Sequence, residues 1–194
     1  MGNWAWGIVN WELKITYYLL PITYYPLPIT NYHHKIMQET EFSWFEVPED
    51  VKQLLVLAAD SWENTSESEK YINQALVKSD NNIDVLISAY RYFYYKQKYK
   101  MALETAEKVK NKVKETEKLP DNWEQLKLVL IKRKEEQNIR LYLNSYAATG
   151  LILAILGKEE EAKEICNKVK DIDEKNDFGA GILFDVLTRP PEED

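Results

Sequence analysis

Few residues in this chain have the type and spacing to do covalent or metal chemistry. His33 and His34 are the only histidines, side by side and with no cysteine or carboxylate ligand beside them, a poor basis for a metal site. The single cysteine, Cys166, falls on an apolar helical stripe, where burial disfavours the thiolate that a nucleophile needs. No Gly-rich phosphate loop, GxSxG, HExxH or paired CxxC occurs, and six glycines leave little for loop-built sites. The many carboxylates fall on helix exteriors and near helix N-termini, where solvation and the helix dipole account for them. Neither catalysis nor a cofactor nor a bound metal is expected. What the residue types do support is recognition. Arg91 stands one helical turn before Tyr94 and Tyr95, so a cation and aromatic faces share one side of a helix. Arginine supplies bidentate hydrogen bonds and tyrosine rigid apolar area, which together suit an acidic or aromatic peptide.

Composition narrows the field further. A net charge of −7, from 25 Lys and Arg against 32 Asp and Glu, disfavours nucleic acid, whose binders need a basic footprint. Hydrophobic content of 45% and charged content of 29% are globular values, ample for a core in a 194-residue chain. One cysteine rules out an internal disulfide. No uninterrupted apolar span of about 18 residues is present, so no membrane helix is expected. The head of the chain lacks the positive n-region and cleavage site of a secretion signal, which makes a cytoplasmic protein the expectation.

Helices must position these side chains. The clearest pattern lies in residues 144–169. Leu151, Ala154 and Ile155 recur at helical spacing, as do Ala148, Ile152 and Ile155, while Ala162, Ile165, Cys166 and Val169 form a second stripe. Gly157 ends the first of these helices through a positive φ, and Gly150 and Ala162 are small where the two would cross. Upstream, Pro48 with Glu49 and Asp50 opens a helix whose apolar side is Val51, Leu54, Leu55 and Ala58. Ser66-x-x-Glu69 predicts a capping box for the next, which carries Tyr71, Ile72, Ala75 and Leu76. Asn82 or Asp84 caps a third with Leu86, Ala89, Tyr90 and Phe93; Ala102, Leu103, Ala106 and Val109 mark a fourth. The spacing then breaks. Asn122 precedes a helix with Trp123, Leu126, Leu128, Leu130 and Ile131 on its apolar side, ending in Lys132-Arg133-Lys134. Those cations, beside Glu135 and Glu136, read as a solvated face rather than an anion site. Asp177 is expected to cap a last helix, with Ile182, Leu183, Val186 and Leu187 closing the end of the array.

The 144–169 hairpin resembles a tetratricopeptide repeat, a helix–turn–helix unit of about 34 residues. On that pattern Tyr146 takes the large first position, Gly150 the small one, Leu153 the next aliphatic, Gly157 the turn, and Ala162 and Val169 the small positions of the second helix. Thr149 and Val169 depart from the usual leucine and alanine, and no proline ends the unit. Tyr99-Lys-Met-Ala102 is similar to the same turn-then-alanine signature, and Ala75 falls at that alanine in a weaker first copy. The resemblance implies an all-α fold: a right-handed superhelical stack of antiparallel helix pairs, roughly three units and a capping helix. The units would span 49–82, 83–114 and 143–176, with an insertion at 115–142, inside one domain of residues 37–188. It further implies a binding surface on the inner face of successive first helices. The inward positions fall on Gln53, Leu57 and Asp60, then Ile87, Arg91 and Tyr94, then Ala147 and Leu151. The lysine- and asparagine-based clamp of chaperone-binding members has no match. The expected function is a non-enzymatic adaptor or assembly factor gripping a peptide or helix of a protein partner. The alternative is a self-associating homodimer in which Tyr94 and Leu151 pack against a second copy.

The two ends of the chain read differently. Ile15-Thr-Tyr-Tyr-Leu-Leu-Pro21, Ile22-Thr-Tyr-Tyr-Pro-Leu-Pro28 and Ile29-Thr-Asn-Tyr-His-His-Lys35 hold a seven-residue register, and their prolines forbid a continuous helix. The run resembles translated heptanucleotide repeats common in cyanobacterial genomes, which would make residues 1–36 an extended tract and Met37 the native start. A Tyr/Pro-rich extended ligand is the competing reading. Phe42, Trp44 and Phe45 are expected to dock on the first helix pair, and 189–194 to be a disordered tail.

Overall fold

Helical periodicity governs the chain from Glu49 onward. The structure, a computed structural model, describes residues 47–189. Among them are eight helices and no strand: α1 (Glu49–Asp60), α2 (Thr65–Lys78), α3 (Ile83–Tyr95), α4 (Tyr99–Thr116), α5 (Trp123–Lys132), α6 (Gln137–Ile155), α7 (Glu159–Lys170) and α8 (Ala180–Leu187). The all-α class therefore holds for the described residues. The 1–36 tract, the adjacent histidines, Phe42, Trp44, Phe45 and residues 190–194 lie outside them.

Local chemistry sets where each helix begins. Pro48 opens α1 where its missing N–H costs nothing, and Glu49 and Asp50 sit in the favourable first turn. Asn82 caps α3 by accepting from the Asp84 N–H at 2.9 Å, and Asn122 caps α5 by accepting from that of Gln125 at 3.2 Å. Two sequence-based caps are corrected. In α2 the box runs from Asn64 to Glu67: the Asn64 side chain accepts from the Glu67 N–H and donates to its carboxylate, each at 3.3 Å. Glu69 instead pairs with Lys98, the residue just ahead of α4. Ahead of α8, Asp173 and not Asp177 does the work. Its buried carboxylate accepts the N–H groups of Asp177 at 2.9 Å and Phe178 at 2.7 Å, while Asn176 accepts from Gly181 at 3.0 Å.

Helices α3, α4 and α6 stop in the same way, as does α2 at Asp80 (φ 49°), after which the Asn81 N–H reaches the Leu76 carbonyl at 3.4 Å. Gln97 after α3 (φ 56°), Lys118 after α4 (φ 51°) and Gly157 after α6 (φ 76°) turn left-handed. The next N–H in each case reaches back five residues, Lys98 to Phe93 at 2.8 Å, Leu119 to Lys114 and Lys158 to Leu153 both at 2.9 Å. This satisfies carbonyls that the helix end would otherwise orphan.

Short connections fold the helices into hairpins, α1 on α2, α3 on α4 and α6 on α7, with α2 against α3, α4 against α6 and α8 against α7 and α6. Two apolar clusters result. One joins Val51, Leu55, Ile72, Ala75, Ala89, Phe93, Ala102 and Ala106 to Ile152 of α6. The other gathers Leu126, Leu130, Ile139, Leu143, Leu151, Cys166, Val169, Phe178 and Leu183. Neighbouring residues of α6, Leu151 and Ile152, thus belong to opposite clusters. Helix α6 starts at Gln137, earlier than the expected 143, and twelve of its 19 residues are buried, so it is enclosed rather than half-exposed.

The α6–α7 crossing depends on Gly150. A Cβ there would lie 3.0 Å from the Cys166 Sγ and 3.1 Å from the Ile165 Cγ2, tighter than ordinary packing. Gly150→Leu should therefore overpack this contact and cost about 1–3 kcal/mol, read as a lowered urea midpoint. An unchanged midpoint would show that the helices do not meet there. The same region sets an alkaline limit. Burial pushes the Cys166 thiol and the Tyr142 hydroxyl up to about 12, and raises Tyr146 as well. The unfolded chain ionises these groups near their ordinary values of about 8.5 for cysteine and about 10 for tyrosine. Their stabilisation is therefore complete below about pH 8.5 and lost as pH climbs towards the raised folded values. The denaturation midpoint should fall between about pH 9 and 11; a flat profile would contradict the burial.

Candidate interaction surface

Helix α3 carries aromatic side chains on two sides with different duties. On one side Tyr92 and Phe93 are buried, and the Tyr92 hydroxyl shares a 2.7 Å hydrogen bond with Ser68 and donates to the Thr65 carbonyl at 3.3 Å. The Trp62 ring meets Tyr92 edge-on at 5.6 Å, and Lys96 lies 4.1 Å over Trp62 while its ammonium donates to the Trp62 carbonyl. These contacts lock α3 against the first hairpin. The other side presents Ile87, Arg91 and Tyr94, all half-buried, and Tyr95, which is exposed. Tyr94 sits at the centre of a tyrosine group, with ring centroids 6.3 Å from Tyr90, 5.8 Å from Tyr95 and 5.9 Å from Tyr99. It also packs against both apolar clusters, so it is an anchored ring and not a freely projecting one. Burial raises the Tyr95 hydroxyl above its ordinary value, and the Arg91 charge opposes that shift.

The other expected surface residues divide. Gln53, Leu57 and Asp60 are exposed on α1. Gln53 and Leu57 line a shallow groove together with Leu54 of α1 and Asn73, Gln74 and Val77 of α2. Ala147 and Leu151 are not at the surface. They are 1% and 3% exposed, inside the cluster that Leu126 and Leu130 of α5 and Phe178 ahead of α8 help to build. Helix α5 and the closing segment supply apolar cover that the sequence pattern of a bare hairpin does not reveal. The same burial keeps Leu151 away from the surface on which a second copy was expected to pack.

Helix α5 is seated by aromatic and ionic contacts. Trp123 meets Tyr146 at 6.5 Å, Lys168 lies 5.4 Å over Trp123, and the half-buried Lys110 lies 5.2 Å over Tyr146, where burial lowers its pKa. Lys127 pairs with Asp171 at 3.0 Å. Arg133 pairs with Glu136 at 2.7 Å and with Glu117, whose carboxyl is held below its usual range by Asn138 first and Arg133 second. The arginine in the basic run is thus a clamp at the end of α5. The expected apolar side of α5 is corrected in phase: Leu126 and Leu130 are core, whereas Leu128 is 70% and Ile131 48% exposed. Ile182, expected to close the end of the array beside the buried Leu183, is also exposed.

Among the described residues no group of three His, Cys, Asp or Glu could hold a metal, and no helix is long and apolar enough to cross a membrane. The arrangement offers recognition chemistry: one arginine, a tyrosine group and a shallow groove with amide and aliphatic walls. No family model and no solved structure matches the chain. A match does exist to the "uncharacterized 19.8 kDa protein in nifW 5′ region" of Azotobacter chroococcum mcd 1, 33% identical over 128 residues that make up 64% of this chain and 71% of that relative. With a third of the residues identical across more than two thirds of that relative, the chain belongs to the same family as this protein of the nifW 5′ region.

Proposed function

We propose that the protein is a non-enzymatic interaction module, a small adaptor or assembly factor built as a tetratricopeptide-like stack, which holds an acidic or aromatic segment of a protein partner. The observation that carries this reading is the split of α3, where Tyr92 and Phe93 fasten one side to the first hairpin and Arg91, Tyr94 and Tyr95 line the other. A surface fixed from behind loses little entropy on binding, which is the condition under which arginine and tyrosine become hot spots. Burial of Ala147 and Leu151 confines the surface to the first two hairpins. The α1–α2 groove with Gln53 and Leu57 would add amide and aliphatic contacts. The relative's place beside nifW suggests where partners should be sought, among the products of neighbouring genes.

The reading is tested with an array of acidic and aromatic peptides followed by calorimetry on the tightest one. Arg91→Ala and Tyr95→Ala should each weaken binding by about 1–2 kcal/mol with the melting curve nearly unchanged. Tyr94→Ala should weaken binding and also lower stability, because its ring packs on both clusters. Leu86→Ala, at a site 1% exposed, should cost roughly 2–5 kcal/mol of stability and leave affinity per folded molecule intact. Equal affinity for the Arg91→Ala and wild-type proteins would refute the surface.

A further inference from the structure

The outer face of α5 plays no part in the proposed peptide surface, and its residues follow a pattern of their own. Leu126 and Leu130 hold the helix in the core, and Asn122, the Lys127–Asp171 pair and the Arg133–Glu117 pair fix its ends and flank. What remains outside is a stripe of Glu124, Leu128 and Lys132, spaced by four and therefore stacked along one face, with Ile131 beside it. All are exposed, Leu128 at 70% and Ile131 at 48%. Neither Glu124 nor Lys132 makes an ion pair within the described residues.

That order of charge, leucine, charge is self-complementary when two copies run antiparallel. With Leu128 on a two-fold axis, Glu124 of one protomer faces Lys132 of its partner, and the reciprocal pair forms on the other side. A two-fold contact requires one patch to fit itself in this way. The same register brings Asp121 opposite Glu135, which would repel if both were free. Each is already matched within its own chain, Asp121 by Lys114 at 2.7 Å and Glu135 by Arg140 at 3.7 Å. We infer that α5 is a homodimerisation helix, pairing antiparallel with a second copy through Leu128 and two reciprocal Glu124–Lys132 ion pairs. One short helix against another buries less than the about 1,200 Å² of a stable complex, so the association is weak and reversible. Its residues do not overlap with Arg91, Tyr94 and Tyr95, so the peptide surface and the dimer are tested by separate variants.

Charge reversal tests the pairing directly, read by sedimentation equilibrium on the full chain up to about 1 mM at low salt. The wild type should show a mass rising towards the dimer with concentration. Lys132→Glu sets Glu124 against a glutamate, and Glu124→Lys sets a lysine against Lys132. Each alone should weaken association by at least about tenfold. Mixing the two single variants should restore it, because every pair across that heterodimer is then opposite in sign. The double variant Glu124→Lys/Lys132→Glu should associate like the wild type. Circular dichroism confirms that each variant is folded, as expected for substitutions at exposed sites. A wild type that stays monomeric throughout, single variants that associate normally, or a mixture that fails to restore the dimer would each overturn the inference.

Discussion

Helix α6 has to be covered on almost every side, and the rest of the fold is arranged to do it. Between Gln137 and Ile155 it carries one charged residue, Arg140, near its start. An apolar helix of this kind is stable only when enclosed. Helices α4 and α7 pack along it, α8 reaches it from beyond α7, and Leu126 and Leu130 of α5 enter the same cluster. Small residues make the enclosure possible. Gly150 lets α7 approach until Cys166 and Ile165 fill the space a side chain would need. The polar residues on α6 are mostly satisfied within the helix, Thr149 donating to the Ser145 carbonyl at 2.8 Å and Asn144 to that of Arg140 at 2.8 Å. The Asn144 side-chain Oδ1 is the exception, buried without a hydrogen-bond partner.

Enclosing α6 decides what can be surface elsewhere. Once Ala147 and Leu151 are consumed by the core, an inner face continuous across all three hairpins no longer exists. Recognition chemistry is left on α1 and α3, where the first hairpins pack through the smaller cluster and keep aromatic side chains partly in solvent. Tyr92 illustrates the division. Its ring and hydroxyl are spent on Trp62, Ser68 and the Thr65 carbonyl. Tyr94 and Tyr95, two and three residues on, occupy the remaining arc of the helix. Adjacent tyrosines therefore do different work because a helix turns by about a quarter of a circle per residue.

Helix existence was legible in the sequence, whereas helix ends and phases were legible only in places. Gly157 announced its turn because glycine adopts positive φ without cost. Gln97 and Lys118 make the same turn with ordinary side chains, so their identity carried no signal, and only the hydrogen bonds of Lys98 and Leu119 reveal it. Asn64 and Ser66 each precede a glutamate at capping distance, and sequence spacing alone does not choose between them. In α5 the run Leu126 to Ile131 is apolar at five of six positions, which erases the phase that would separate core from solvent. Tertiary cover settled it. Ala147 and Leu151 were misplaced for the complementary reason: the periodicity of one hairpin does not show that Leu126, Leu130 and Phe178, distant in sequence, cover it. Arg91 and Tyr94 are both half-buried on α3.

The ion pairs fit a fold secured by burial rather than by charge. Most join exposed or half-exposed groups and contribute little individually. Those that matter most to architecture span elements that the apolar clusters join only loosely. Lys98–Glu69 ties α4 to α2, Lys127–Asp171 ties α5 to the end of α7, and Arg133 ties the end of α5 to Glu117 at the end of α4. Two of these three bridges hold α5, whose Leu126 and Leu130 enter the core while Glu124, Leu128, Ile131 and Lys132 stay exposed on its outer face. Such a face keeps Leu128 and Ile131 in water at a cost the fold does not need to bear for its own stability, which is the physical reason to look there for a second contact.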